Sequence, residues 1–113
     1  MSAAITVLVV DWLYGRPASG VPVELSPMDS SVLAGKPAPE GKGLTDDTGR
    51  CRFMLDDAGQ HRMRKLVVNV EVYFAGLGIE PSCPEVTVVF HTGTAAQILL
   101  FLAPAGYTVS VVR

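Results

Sequence analysis

The sequence predicts an all-β protein, a two-sheet β-sandwich of about seven or eight short strands with one short helix near residues 73–79. Three observations predict it. Short runs rich in Val, Ile and Leu recur along the chain, separated by clusters of Gly, Pro, Asp and Ser that read as turns. Only Tyr73 to Ile79 has the length and the glycine punctuation of a helical turn or two. The last stretch, Gln97 to Arg113, is apolar on both faces of what must be a strand pair, where half-solvated strands would alternate. In a chain of 113 residues one of those faces covers the core. The other needs cover from outside the monomer, by a partner chain or a ligand.

Taken in order, Ile5 to Trp12 is aliphatic and β-branched without a break and reads as the first strand. Tyr14-Gly15-Arg16-Pro17-Ala18-Ser19-Gly20 turns the chain into a second, Val21 to Leu25. Prolines and glycines between Ser26 and Gly43 read as a long irregular loop. Leu44 to Arg50 makes a tight turn, and Cys51 to Leu55 a short strand. Arg62 to Val72 is a β-rich run entered through Arg62, Arg64 and Lys65. Tyr73 to Ile79 is closed by Gly78, with Pro81 beyond it as a stop. Glu85 to His91 is strand, and Gln97 to Ala103 and Tyr107 to Val112 form a hairpin across Pro104-Ala105-Gly106. Without internal repeats or low-complexity tails, residues 1–113 read as a single domain.

Composition bounds the partners. Lys and Arg number 9 against 11 Asp and Glu, a formal net charge of −2, and no stretch concentrates basic residues, which argues against nucleic acid. The longest apolar runs, such as Ile98 to Ala103, fall far short of the roughly 20 residues of a membrane helix, so no membrane partner is expected. The N-terminus lacks the basic residues and the cleavage site of a signal peptide, and the chain reads as cytoplasmic. Cys51 and Cys83 are widely spaced, with no His or Cys at metal-ligand spacing. They read as two reduced thiols; neither metal nor cofactor is expected.

Several segments together resemble a known family. They are Val9-Val10-Asp11 with Gly15-Arg16-Pro17-Ala18, Gly20 to Leu25, Thr45-Asp46-Asp47-Thr48-Gly49-Arg50-Cys51, Tyr73 to Pro81, Pro84-Glu85-Val86 and Leu100 to Tyr107. In order and spacing they resemble the transthyretin family, most closely its bacterial 5-hydroxyisourate hydrolases. The resemblance implies a two-sheet sandwich that pairs into dimers and then into a homotetramer, a dimer of dimers, with a channel through its centre. One face of the first strand and of the last two strands would line that channel. Such a channel answers the need for cover on the second apolar face.

The catalytic elements of those hydrolases carry over poorly. Their His three residues before the Asp of the first motif corresponds to Leu8, counting back from Asp11. Their Arg at the end of the Thr-Asp turn corresponds to Arg50. Their His-x-His pair falls on Ala95 and Gln97, and their closing Tyr-Arg-Gly-Ser on Ser110-Val111-Val112-Arg113. Of these, only Arg50 is retained. Opening the hydroxyisourate ring calls for proton transfer, for which His is the usual group near neutral pH. Leu8 takes no proton, and the Gln97 amide orients a water or carbonyl without acting as a base. Each lost proton transfer typically costs a factor of about 100 to 10,000, so efficient hydroxyisourate hydrolysis is not the first expectation.

Strand alternation extends the wall the resemblance implies. If position 8 faces the channel, so does Val10; Gln97 brings Leu99 and Phe101; the last strand adds Thr108, Ser110 and Val112. Such a wall, apolar with polar points at Gln97, Thr108 and Ser110, suits a planar or polycyclic apolar ligand held by few hydrogen bonds, or it simply packs an interface. Arg50 suits a carboxylate, enolate or urea-like carbonyl at the channel mouth, or a surface pair with Asp46 or Asp47. Arg113 offers a second cation. His61 and His91 fall on no catalytic position and read as exposed; Asp11 reads as bonded to nearby backbone amides.

Three functions follow. The first, taken as the working expectation, is a repurposed member that binds or transforms an apolar small molecule in the channel, by a cyclisation or isomerisation in specialised metabolism where positioning replaces acid–base chemistry. Its catalytic candidates are Arg50, Gln97 and Ser110; its ligand-binding candidates are Leu8, Val10, Leu99, Phe101, Thr108, Val112 and Arg113. The alternatives are a 5-hydroxyisourate hydrolase of purine catabolism with an altered site, and a non-catalytic tetrameric assembly or carrier.

Overall fold

Alternate residues of the central strands are buried and half-exposed, and this two-residue period organises the molecule. The computed structural model describes residues 3–27, 41–55, 63–91 and 97–112. Their strands are β1 (Ala3–Asp11), β2 (Arg16–Pro17), β3 (Pro22–Pro27), β4 (Gly41–Leu44), β5 (Arg50–Leu55), β6 (Met63–Asn69), β7 (Glu85–His91), β8 (Gln97–Ala103) and β9 (Gly106–Val112), with one helix, α1 (Val70–Ala75). The all-β, two-sheet expectation holds, with the two-residue β2 and the short β4 added to the strands read from sequence.

One sheet has the order β2-β1-β8-β9, with β5 pairing β1 on the same edge as β2; the other is β4-β3-β6-β7. The β1–β8 pair is parallel and all others are antiparallel. Between the sheets lie Ile5, Val7 and Val9 of β1, Ile98, Leu100 and Leu102 of β8, Val23 and Leu25 of β3, and Leu66 and Val68 of β6, each at most 2% exposed. Fully burying a side chain of this kind contributes about 1.5–3 kcal/mol, so these strands are held by the residues that face inward.

Three local expectations are corrected. The loop expected over Ser26 to Gly43 is shorter at both ends, because β3 runs to Pro27 and β4 begins at Gly41; residues 28–40 lie outside the described residues. The glycines misled: a Cβ on Gly41 would stand 2.7 Å from the Phe53 ring and one on Gly43 2.9 Å from the Cys51 sulfur. They mark close approach to β5 rather than a loop.

The strand expected to reach Val72 stops at Asn69, and the helix expected near 73–79 starts at Val70. Asn69 caps it, its side-chain oxygen accepting the Val72 N–H at 3.1 Å. Burial of Val70 and Phe74 then overrides the β preference of the valines. The helix also ends earlier than expected, at Ala75 with Gly76 as its C-cap; Gly78, at φ 73°, closes the turn after it, where Gly78 N–H bonds Ala75 C=O and Ile79 N–H bonds Phe74 C=O.

The third correction is Trp12, which follows β1 rather than ending it. The chain turns because the buried Asp11 carboxylate accepts the N–H groups of Leu13 and Tyr14 at 2.9 and 3.1 Å.

Candidate functional site

Register places nearly all the sequence-derived candidates on one surface, the face of the first sheet that points away from the core. Leu8 stands beside Arg50 of β5 and Leu99 of β8, and Leu99 beside Ser110 of β9, which makes one row across four strands. The next row is Arg52, Thr6, Gln97 and Val112. On the other side lies Val10, Phe101 and Thr108. Leu8, Val10, Gln97, Leu99 and Phe101 are half-buried; Arg50, Thr108, Ser110 and Val112 are exposed. Arg113 and Ala95 lie outside the described residues, as does His61, while His91 is exposed on the other sheet.

The turn that delivers Arg50 is built from its own sequence. Asp46 Oδ1 accepts the Thr48 hydroxyl at 2.6 Å and the N–H groups of Thr48 and Arg50 at 2.9 and 3.0 Å. These donors hold its carboxyl below the usual carboxylate range, the Thr48 hydroxyl contributing most. Asp46 thus takes the Arg50 backbone and leaves its side chain exposed beside the face. Gly49, at φ 81°, accepts the Val9 N–H through its carbonyl and locks the turn against β1. Thr45 anchors the approach: its hydroxyl donates to Ala18 C=O at 2.6 Å and accepts the Val21 N–H at 2.9 Å.

A second cluster fixes the opposite border. The Tyr73 hydroxyl of α1 donates to Asp11 Oδ2 at 2.5 Å, and Arg16 Nε lies 3.9 Å from the same oxygen. Burial first, and then this bond, push the Tyr73 phenol above its ordinary value. Beyond Asp11, the Trp12 N–H bonds Leu102 C=O at 2.8 Å, and the indole lies 5.0 Å from the Phe101 ring at 40°.

Sequence reasoning missed Trp12, Arg52 and Thr6 on this surface. All three were within reach of the alternation rule, two residues along from Val10, Arg50 and Leu8. Tyr73 was not: its meeting with Asp11 joins residues 62 apart in sequence. Cys51 points inward beside Gly43, and burial, followed by the Asp46 carboxylate, raises its thiol pKa; Cys51 and Cys83 are both free thiols. No described helix is long and apolar enough to cross a membrane.

Chemically, the face offers apolar contact and a few donors. Its charged side chains among the described residues are Arg50 and Arg52, which suit holding and orienting anions.

A search by sequence among curated proteins finds no match. Among solved structures, the chain is similar to the 5-hydroxyisourate hydrolase of Klebsiella pneumoniae, with a TM-score of 0.79 and 21% identity over 98% of this chain and 100% of that one. A family model described as the HIUase/Transthyretin family matches residues 5–110. With that match spanning nearly the whole chain, the protein belongs to the HIUase/transthyretin family.

Proposed function

We propose that this protein binds or transforms a mainly apolar small molecule in a channel formed where copies of the chain bring the outer face of the first sheet together, in a homotetramer. The observation that carries the reading is the character of that face: Leu8, Val10, Leu99 and Phe101 form a half-exposed apolar centre with polar groups at its borders. Water against such a centre is unfavourable at about 25 cal/mol per Å², which favours cover by partner and ligand alike. The exposed Val111 and Val112 on the edge strand β9 support assembly. If a reaction occurs, Arg50, Gln97 and Ser110 orient the substrate, and rate comes from positioning and charge stabilisation.

A second reading, hydrolysis of hydroxyisourate, is favoured by the retained Arg50, whose strand register sets it beside Leu8 on this face. Light scattering after gel filtration, fluorescence of a naphthalene dye, and ultraviolet decay of hydroxyisourate separate the readings. Tetramer mass and saturable dye binding without faster decay support the first. Accelerated decay favours the second, and a tetramer that binds no apolar probe leaves only a packed assembly.

A further inference from the structure

The two borders of the face differ in chemistry, and each specifies part of a ligand; this argument rests on the channel reading. At one border stands Trp12, the single tryptophan of the chain. The residue is 59% exposed although its indole lies against Phe101. It is not a ring on a slack loop. Its N–H is tied to Leu102, the next two amides are tied to Asp11, and Asp11 is tied to Tyr73. Nearby Tyr14 is already occupied, with the Arg16 guanidinium 5.0 Å above its ring. Trp12 therefore extends the sheet face past Phe101 as a fixed aromatic surface that is only partly covered, which is half of a stacking site.

At the other border, Arg50 and Arg52 project from the same side of β5, and no Asp or Glu lies in the rows of this face among the described residues. The Asp46 carboxylate in the turn before β5 offsets part of the Arg50 charge from outside these rows, and the protein as a whole carries −2, so the positive character of this border is local and rests most on Arg52. Closing two copies of the face on each other brings at least four guanidinium groups around one space. Like charges repel there, more strongly once water is excluded, and an anion relieves them.

We infer that Trp12 and Phe101 form the aromatic wall of the ligand site, and that the ligand is a flat conjugated anion with its rings against the indole and its carboxylate or enolate beside Arg50 and Arg52. Size agrees. Phe101 and Arg50 are two strands and two residues apart, so their Cα atoms are separated by about 12 Å. Two or three fused rings bearing an acidic group span that gap once the side chains reach inward.

Calorimetry on the assembled protein tests this with three probes: naphthalene-2-carboxylate (flat and anionic), adamantane-1-carboxylate (globular and anionic) and 2-naphthalenemethanol (flat and neutral). Quenching of Trp12 fluorescence is the second readout. The flat acid is expected to bind about tenfold tighter than either other probe. Trp12→Ala should erase its advantage over the globular acid, and Trp12→Phe should restore most of it. Arg52→Gln should erase the advantage over the neutral probe. If the alanine variant fails to assemble, Phe101→Leu keeps the apolar bulk and should still reduce the preference for flat probes. Equal, saturable binding of all three probes overturns the inference and leaves the channel reading standing. Absence of saturable binding by any probe overturns both.

Discussion

Tyr73→Phe removes one hydroxyl and tests whether the Asp11 cluster holds this end of the sandwich. Asp11 is fully buried, and its carboxylate accepts three donors, the N–H groups of Leu13 and Tyr14 and the Tyr73 hydroxyl. Without the hydroxyl, Oδ2 is left with Arg16 Nε at 3.9 Å, beyond hydrogen-bond distance. A hydrogen bond to a charged acceptor contributes about 1.5–3 kcal/mol net, and a buried carboxylate oxygen left short of donors falls within that range. We expect a loss of about 2 kcal/mol. For a chain of 113 residues, unfolding entropy near the midpoint is about 0.24 kcal/mol/K, so the melting temperature should fall by about 8 °C. Scans must share one protomer concentration, because assembly itself raises apparent stability. Asp11→Asn closes a double-mutant cycle with a coupling energy above about 1 kcal/mol. A melting temperature within 2 °C of the parent, or a coupling near zero, would refute the reasoning.

Three further outcomes follow from the same geometry. Gly49→Ala should cost about 3 kcal/mol or more, since its φ of 81° disfavours a side chain and a new Cβ would press on the Val9 carbonyl oxygen; chemical denaturation showing less than 1 kcal/mol would contradict this. Asp46→Asn should flatten the acid limb of stability: a lowered folded-state pKa means that the stabilisation is full above the unfolded value near 3.8 and is lost as pH falls through the folded value. Parent and variant should therefore converge at low pH, and curves that stay parallel from pH 6 to 2 would count against the Asp46 bonds. Leu8→His with Gln97→His puts proton-transfer groups on neighbouring strands of the outer face, one row apart and beside Arg50 and Arg52, and should raise ultraviolet decay of hydroxyisourate at least about 100-fold over the parent; an unchanged rate means that the face no longer presents the substrate to those positions.

What could be read from the sequence was what repeats every two residues. The apolar run Gln97 to Ala103 announces a strand with two apolar faces, and alternation applied to the wall that the family resemblance implies puts Leu8, Val10, Thr108 and Ser110 together. Less legible were features set by long-range contact. Val70 and Val72 look like strand residues until Asn69 caps a helix and Phe74 is drawn into the core. Gly41 and Gly43 look like loop residues until β5 crosses beneath them. Arg64 reads as part of a basic entry to the run that becomes β6, and it is fully buried on the inward side of that strand. Alternation from Val10 reaches the face that Trp12 joins, but nothing local says that its ring lies on Phe101, 89 positions later.

The same strands carry two separable sets of determinants. In β1, Ile5, Val7 and Val9 hold the sandwich, while Thr6, Leu8 and Val10 face outward; in β8, Ile98, Leu100 and Leu102 hold it, while Gln97, Leu99 and Phe101 face outward. The fixing contacts at Thr45, Asp46, Gly49 and Asp11 lie in turns and at strand ends, outside the rows of the face. A change on the outer rows therefore leaves the inward packing and the turn bonds untouched, and costs little unless it breaks the assembly. This is how a chain at 21% identity to a hydroxyisourate hydrolase keeps that fold over 98% of its length with Leu8 and Gln97 on this face. Packing between the sheets constrains one parity of residues and leaves the other parity free to change while the fold is kept.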